Sequence, residues 1–336
     1  MTAAPPAASP SPPLLVVRGL SVEFPGSARM LPGTPVAGVD FEVHRGETVA
    51  LVGESGSGKS LTGLALLGLV PHPGRIAAGS IALAGEELTT LGREAIRAVR
   101  GRRIGMVFQD PLTSLTPVLT IGTQLGEALT AHRRMSRAEA RRLGEALLAE
   151  VGLPDPAAGY DAWPHELSGG MRQRALIAIA LAGEPELLIA DEPTSALDVT
   201  VQAQILETLD RLKAARGMAV LIITHDLGIV AGRADRVLVM YAGQIVEQRA
   251  TRELFRNPGH PYTRALLSAI PRLDRPGELR TIPGSVPLPS NWPPACRFHP
   301  RCSEALARCA RETPPVVPLG TGEWTRCWLP REAGDG

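Results

Sequence analysis

Gly53-Glu54-Ser55-Gly56-Ser57-Gly58-Lys59-Ser60 is the stretch from which the rest of the chain is read. Its spacing is G-x-x-x-x-G-K-[ST], with a strand-like run Glu47–Val52 before it and a helix-like run from Leu61 to Leu69 behind it. Three glycines let a backbone curl round a phosphate chain and turn its N–H groups inward. In this reading Lys59 reaches the β and γ phosphates, Ser60 ligates Mg²⁺, and the following helix aims the positive end of its dipole at the anion. The chain is expected to bind a nucleoside triphosphate along Gly53 to Leu61. Composition points the same way: of 35 Lys and Arg residues only Lys59 and Lys213 are lysine. The loop requires a slim, rotatable point charge, and that is where this arginine-rich chain uses one.

A length of 336 residues allows one large domain or two, enough to bury an enzyme's core. The net charge of +1 gives no reason to expect nucleic acid, and the basic run Arg97–Arg103 is short enough to be solvated surface. No window approaches the roughly 20 apolar residues that span a bilayer; the longest apolar stretch, Leu64–Val70, already contains Gly68. Residues 1–13 are Pro, Ala and Ser without a basic start or an apolar centre. They are expected to be disordered rather than a signal peptide, with the protein in the cytoplasm.

Outward from the loop, Leu14–Phe24 reads as a strand, followed by a Pro/Gly-rich loop to Gly38 and a second strand Val39–Val43, together an antiparallel β subdomain. Short strands at Arg103–Phe108, Glu186–Ala190 and Ala219–Thr224 alternate with helical patterns, which predicts an α/β core with a parallel sheet. Between Asp110 and Glu184 the helical period dominates: Ser136 with Glu139 forms a capping box, and Leu143, Leu147 and Val151 fall on one face. This predicts an inserted helical subdomain, about 110–184. Val237–Met240 and Gln244–Glu247, joined through Ala242-Gly243, read as a terminal hairpin. The expected division is a tail 1–13, a nucleotide-binding domain 14–256, a Pro-rich extension 257–330 and a tail 331–336.

Leu187-Leu-Ile-Ala-Asp191-Glu192 is an apolar strand ending in two carboxylates, a pattern that delivers charge to the sheet edge where a nucleotide sits. Asp191 is expected to hold Mg²⁺ through water, and Glu192 to orient or deprotonate the attacking water. Around it stand Gln109, the run Leu167-Ser168-Gly169-Gly170-Met171-Arg172-Gln173, the loop Ser195-Ala196-Leu197-Asp198, and His225. With the phosphate loop and these elements in this order, the chain resembles the ATP-binding-cassette ATPases. The resemblance implies that Ser168, Gly169 and Gly170 bind the γ-phosphate held by a second cassette, so that hydrolysis requires a dimer. It also implies that Gln109 ligates Mg²⁺ and senses a transmembrane partner, that His225 bonds the γ-phosphate and water, and that Phe24 stacks on adenine. Cassettes of DNA repair or chromosome organisation would need a long coiled coil between Lys59 and Ser168, where no sustained heptads occur, and tandem ribosomal cassettes would need an internal repeat.

Cys296, Cys302, Cys309 and Cys327 are the only cysteines, clustered in the Pro-rich extension with three of the four tryptophans. Disulfides are disfavoured in a cytoplasmic protein, leaving a metal site or free thiols, and the spacing is not the C-x-x-C pair of a zinc ribbon. Together with Pro258–Leu267 and Ile282–Pro287, this extension is similar to that of the dipeptide and oligopeptide importer ATPase subunits. The likeness implies a [4Fe-4S] cluster on the four cysteines, with zinc or no metal as the alternatives. It further implies a peripheral position on the cytoplasmic face of the cell membrane, two transmembrane permease subunits, a sister ATPase subunit, and indirect service to an extracytoplasmic solute-binding protein. Nickel or a glutathione-like peptide is the alternative cargo.

Overall fold

The computed structural model describes residues 12–26, 32–195, 197–270 and 281–332. Residues 1–11 of the start expected to be disordered, and 333–336 of the C-terminal tail, therefore lie outside the described residues. Alternating apolar residues make β1 (Leu15–Phe24) and β2 (Gly33–Val43), which bury Leu15, Val17, Leu20 and Val22 against Val36, Val39, Phe41 and Val43. β2 begins six residues before the Val39 expected from sequence, because Gly33 and Val36 pair with Phe24 and Val22. It leads into β3 (Thr48–Val52) of the core sheet. β4 (Arg75–Leu83), not anticipated from sequence, pairs with the free edge of β1, and β5 (Glu86–Glu87) completes a four-stranded antiparallel sheet in the order β2-β1-β4-β5.

The second sheet carries the chemistry. It contains β3, β6 (Ile104–Val107), β7 (Leu187–Asp191), β8 (Ala219–Thr224), β9 (Arg236–Tyr241), β10 (Gln244–Ala250), β11 (Val316–Gly320) and β12 (Glu323–Arg326), in the order β11-β12-β10-β9-β3-β8-β7-β6. Strands β9, β3, β8, β7 and β6 run parallel. Every residue of β3, β7 and β8 is buried, as expected of strands covered on both faces. Each buried Val, Leu or Ile contributes about 1.5–3 kcal/mol of transfer free energy. Register places Val52 beside Thr224 and Asp191 beside Ile223, so three adjacent strands end together at one edge.

Helices Ile121–Thr130, Arg137–Glu150, Pro156–Asp161 and Gly169–Leu181 pack into a unit beside the end of β6. Ser136 caps its helix by accepting the Glu139 N–H at 3.2 Å. The buried face of that helix is Ala140, Gly144 and Leu148, whereas the expected face residues Leu143 and Leu147 are only half-buried. The reason is Tyr160: its ring lies against Gly122 and Gly144, and a Cβ at either glycine would collide with it.

The β9–β10 hairpin is not terminal. Its outer edge is taken by β12, with Glu247 opposite Thr325 and Gln248 opposite Trp324, and β11 pairs in turn with β12. The buried Glu247 carboxylate accepts the backbone N–H groups of Gly259 (2.6 Å) and His260 (2.9 Å) and the Thr263 hydroxyl (2.5 Å), tying down the helix Pro261–Ser268. Burial raises the Glu247 pKa against these lowering bonds. Tyr262 and Phe298 are buried in one apolar cluster with Val52, Val239 and Tyr241 of the cassette sheet, so the extension packs into the core it shares with the cassette. Among the described residues, no helix is long and apolar enough to cross a membrane.

Candidate nucleotide site

The phosphate loop joins the end of β3 to the helix Lys59–Leu66, whose N-cap is Gly58 in the left-handed conformation. Gly53 passes so close to the Met240 carbonyl that a Cβ there would clash with it. Lys59 is buried, and its Nζ donates to the Gly53 and Glu54 carbonyls at 2.8 and 3.0 Å. Burial pushes its pKa down, opposed by the carboxylates of Glu192, Asp191 and Glu54. A buried ammonium with only two carbonyl acceptors is better satisfied by a polyanion, which replaces neutral acceptors with charged ones. Ser57 Oγ is buried and, among the described residues, has no hydrogen-bond partner. Glu54, Ser55 and Gly56 form the outer arm of the loop, and Leu61 begins the packed part of the helix against the first core cluster.

Across the sheet edge, Ser60 Oγ donates to Asp191 Oδ1 at 3.0 Å. Burial raises the Asp191 pKa to about 6, assisted by the Glu192 charge and opposed by the Ser60 bond and Lys59. A hydroxyl facing a buried carboxylate is a hard-oxygen donor set, so Ser60 and Asp191 fit Mg²⁺. Glu192 leaves β7 in the left-handed region, φ 46°, and its N–H donates to Ile223 O at 2.8 Å. That conformation costs a non-glycine residue about 1–2 kcal/mol and turns the side chain to the strand ends. There Gln109 Nε2 donates to Glu192 Oε2 at 3.0 Å, and His225 Nδ1 lies 2.9 Å from Oε1. Gln109 follows β6 and His225 follows β8, so one carboxylate gathers the two groups that sequence reading placed around it.

Other expected site residues lie apart. Ser168 caps the helix Gly169–Leu181 by accepting the Met171 N–H, and Gly169 and Gly170 lie beside Leu197 and Val201. Among the described residues, no hydrogen bond or ion pair joins Ser168–Gly170 to the phosphate loop of the same chain. Asp198 caps the helix Val199–Arg216, and Ala196 of the loop 195–198 lies outside the described residues. Phe24, at the end of β1, is half-buried with its ring against Gly74.

Two contacts were not foreseen. Arg301 of the extension grips the Glu54 carboxylate with both terminal nitrogens, at 2.7 and 2.8 Å, and the Tyr262 hydroxyl accepts the Glu54 N–H at 2.8 Å. An acidic residue inside an anion-binding loop signals a need for a countercharge, but nothing local tells which of many arginines supplies it.

The four cysteines line one cavity with His260, Phe298, Pro314 and Trp328. Burial pushes the Cys296 and Cys327 thiols up to about 11, with charge on neighbouring cysteines adding to the shift. Four cysteines lining one small cavity match a thiolate-bound group in donor type alone. Among the described residues, no three His, Cys, Asp or Glu side chains are grouped to hold a single metal ion.

Sheet, loop and paired carboxylates are those of an ATP-binding cassette, and the chain matches the ABC transporter family over residues 36–195 and the C-terminal region of oligopeptide/dipeptide transporters over 246–309. It belongs to the ABC transporter family and is an ATP-hydrolysing cassette. Among its relatives is the oligopeptide transport ATP-binding protein AppD of Bacillus subtilis, 49% identical over 96% of this chain and 98% of that one. A Brucella melitensis protein described as a peptide import ATP-binding protein is 51% identical over 94% of this chain and 96% of its own length. Among solved structures, the dimeric cassette MJ0796 bound to ADP and phosphate aligns with a TM-score of 0.62 at 26% identity, over 71% of this chain and 99% of that chain. CbiO1 of Clostridium perfringens, part of a cbiONQ complex, aligns with a TM-score of 0.62 at 27% identity, over 73% and 91%.

Proposed function

We propose that this chain powers peptide import, hydrolysing ATP on the cytoplasmic face of the membrane beneath two permease subunits and beside a sister cassette. The observation that carries the cargo is the match of its extension to the oligopeptide/dipeptide transporter region, with relatives near 50% identity along almost the whole chain. Residues 14–256 form the cassette, with the helical unit at about 110–184, and 257–330 the transporter-type extension. A solute-binding protein outside the membrane selects peptides, and the permeases pass them.

In this reading the loop Gly53–Ser60 and Leu61 wrap the phosphates, and Lys59 transfers its hydrogen bonds from loop carbonyls to phosphate oxygens. Ser60, Asp191 and Gln109 hold Mg²⁺, which when bound neutralises charge on the β and γ phosphates. Glu192 accepts the proton of the attacking water at the carboxylate that Gln109 and His225 now hold. His225 then has a donor free for the γ-phosphate, and Phe24 stacks on adenine. Ser168, Gly169 and Gly170 serve the opposite cassette, in keeping with their separation from this chain's own loop. Closing the cassette pair completes both sites, and hydrolysis releases them.

Cys296, Cys302, Cys309 and Cys327 hold a [4Fe-4S] cluster as a structural clamp. These four thiols would be its protein ligands, and the support for it is that all four cysteines line one cavity. The reading is tested by assembling the full chain with its membrane subunits in vesicles. Labelled short peptides should accumulate only with ATP; ATP-driven uptake of nickel, without peptides, would replace peptide by metal as the cargo.

A further inference from the structure

Among the described residues, the extension hydrogen-bonds to the phosphate loop at Glu54 and holds it from two sides. Arg301 makes a bidentate pair with its carboxylate, and Tyr262 accepts its backbone N–H. The clamp is itself held: Arg301 Nε donates to Pro283 O at 2.8 Å and Nη2 to Gly284 O at 3.2 Å, while Nη1 lies 3.3 Å from the Tyr241 hydroxyl. The Arg301 side chain is only 7% exposed, against 27% for Glu54, so this is not a mobile surface pair. Tyr241, Tyr262 and Phe298 pack ring against ring with centroids 4.7–5.2 Å apart, fixing the hydroxyls that meet Glu54 and Arg301. Beyond Tyr241, the Gly243 N–H donates to Ser57 O at 2.8 Å, so the same hairpin tip braces the loop a second time.

We propose that Arg301 and Tyr262 are positioning residues of the nucleotide site, through which the C-terminal extension holds the phosphate loop in its ATP-accepting shape and cancels the charge of Glu54. Two physical effects act together. Without the clamp, the Glu54 arm of the loop loses the bonds that fix its outer side, and ordering it on ATP binding then costs affinity. Without Arg301, an unpaired carboxylate also stands within the loop that must receive a triphosphate, and like charge repels it. Inside the loop, Lys59 already bonds the Glu54 carbonyl, so displacement of Glu54 is felt directly by the residue that grips phosphate. Cys302 follows Arg301 in the chain and lines the four-cysteine cavity, so Arg301 and one of the thiols share one short turn. The inference rests on the reading that Gly53–Ser60 binds the ATP phosphates.

The test is calorimetric titration of MgATP into the full chain at a temperature where each variant is folded. Lys59→Ala checks the underlying site and should abolish binding; if it does not, the assignment of the loop fails rather than the clamp. With that control in place, Arg301→Gln should weaken ATP on the order of tenfold or more, and adding Glu54→Gln should not weaken it further, because the second change removes the uncompensated charge. An unchanged Kd in folded Arg301→Gln, or penalties of the two substitutions that simply multiply, would overturn the proposal and leave the pair as glue between extension and cassette. Should Arg301→Gln fail to fold, Tyr262→Phe removes a single hydroxyl while keeping the packed ring. It should raise the Kd several-fold with the melting temperature little changed, and an unaltered Kd would equally refute the clamp.

Discussion

Replacing Glu192 by Gln isolates the proposed proton acceptor, since the side chain keeps its shape while losing its charge. Its carboxylate takes one bond from Gln109 at 3.0 Å and faces His225 at 2.9 Å. A glutamine amide keeps one acceptor oxygen for either neighbour and turns its NH₂ to the other, so one contact is retained and one altered. A lost hydrogen bond to a charged group costs about 1.5–3 kcal/mol. Against that, neutralising Glu192 removes the like charge that helps raise the Asp191 pKa, so the fold should change little in stability. Catalysis is different: losing a general base slows turnover by about 10²–10⁴, or roughly 3–5 kcal/mol of barrier. ATP binding should survive, because Lys59, Ser60 and the loop are untouched. Steady-state phosphate release, nucleotide titration and thermal melting of the same preparation separate the three quantities. Turnover within about threefold of the unaltered protein would refute the role of Glu192 as base, and loss of binding together with turnover would show that its charge serves the nucleotide and not the water.

In a mixed pair of cassettes, Ser168→Arg on one partner should silence the site whose phosphate loop belongs to the other, measured by single-turnover hydrolysis; two independently active sites would contradict the shared arrangement. Anaerobically purified protein should carry iron and acid-labile sulfide in matching amounts, both lost in the Cys302→Ser, Cys309→Ser variant, whereas zinc or no metal would remove the cluster. His260 is buried, accepts the Tyr262 N–H on Nδ1, and has its pKa pushed down to about 3 by burial, with Arg264 adding to the shift. The unfolded chain takes up this proton near the ordinary value of 6.5 and the folded chain only near 3, so the stability conferred by the neutral ring is complete above about pH 6.5 and is lost as pH falls toward 3. Urea titrations should show a slope of up to about 1.4 kcal/mol per pH unit from this group, absent in His260→Gln; equal slopes in the two proteins would exclude it.

Elements whose chemistry is local were legible in the chain. A loop such as Gly53–Ser60 acts through its own backbone, and the Leu187–Asp191 strand announces burial by five consecutive apolar or terminal residues, so each could be read without knowing its neighbours. Leu143 and Leu147 show how far that reading goes: both pack against the core of the helical unit, with Val151 buried beside them, but each is only half-buried. Spacing identified a helix and its apolar face, but the position of Tyr160 over two glycines decided which face was buried, and a ring from another helix is invisible to periodicity. The hairpin misread as terminal has the same explanation, because an edge strand looks alike whether it faces solvent or β12.

The sequence by itself determined that this protein binds and hydrolyses a nucleotide, since the phosphate loop, the carboxylate pair Asp191-Glu192 at the end of β7 and the run Leu167–Gln173 are each continuous in the chain. Only the tertiary structure decided which residues share a site. Gln109, Glu192 and His225 meet because β6, β7 and β8 lie side by side in the sheet and end at one edge. Arg301 meets Glu54 across 247 residues of chain because Phe298 of the extension packs on Tyr241 at the end of β9 and on Tyr262, beside the loop. Such contacts depend on strand order and on burial of distant apolar faces, quantities that belong to the whole fold and to no segment of it.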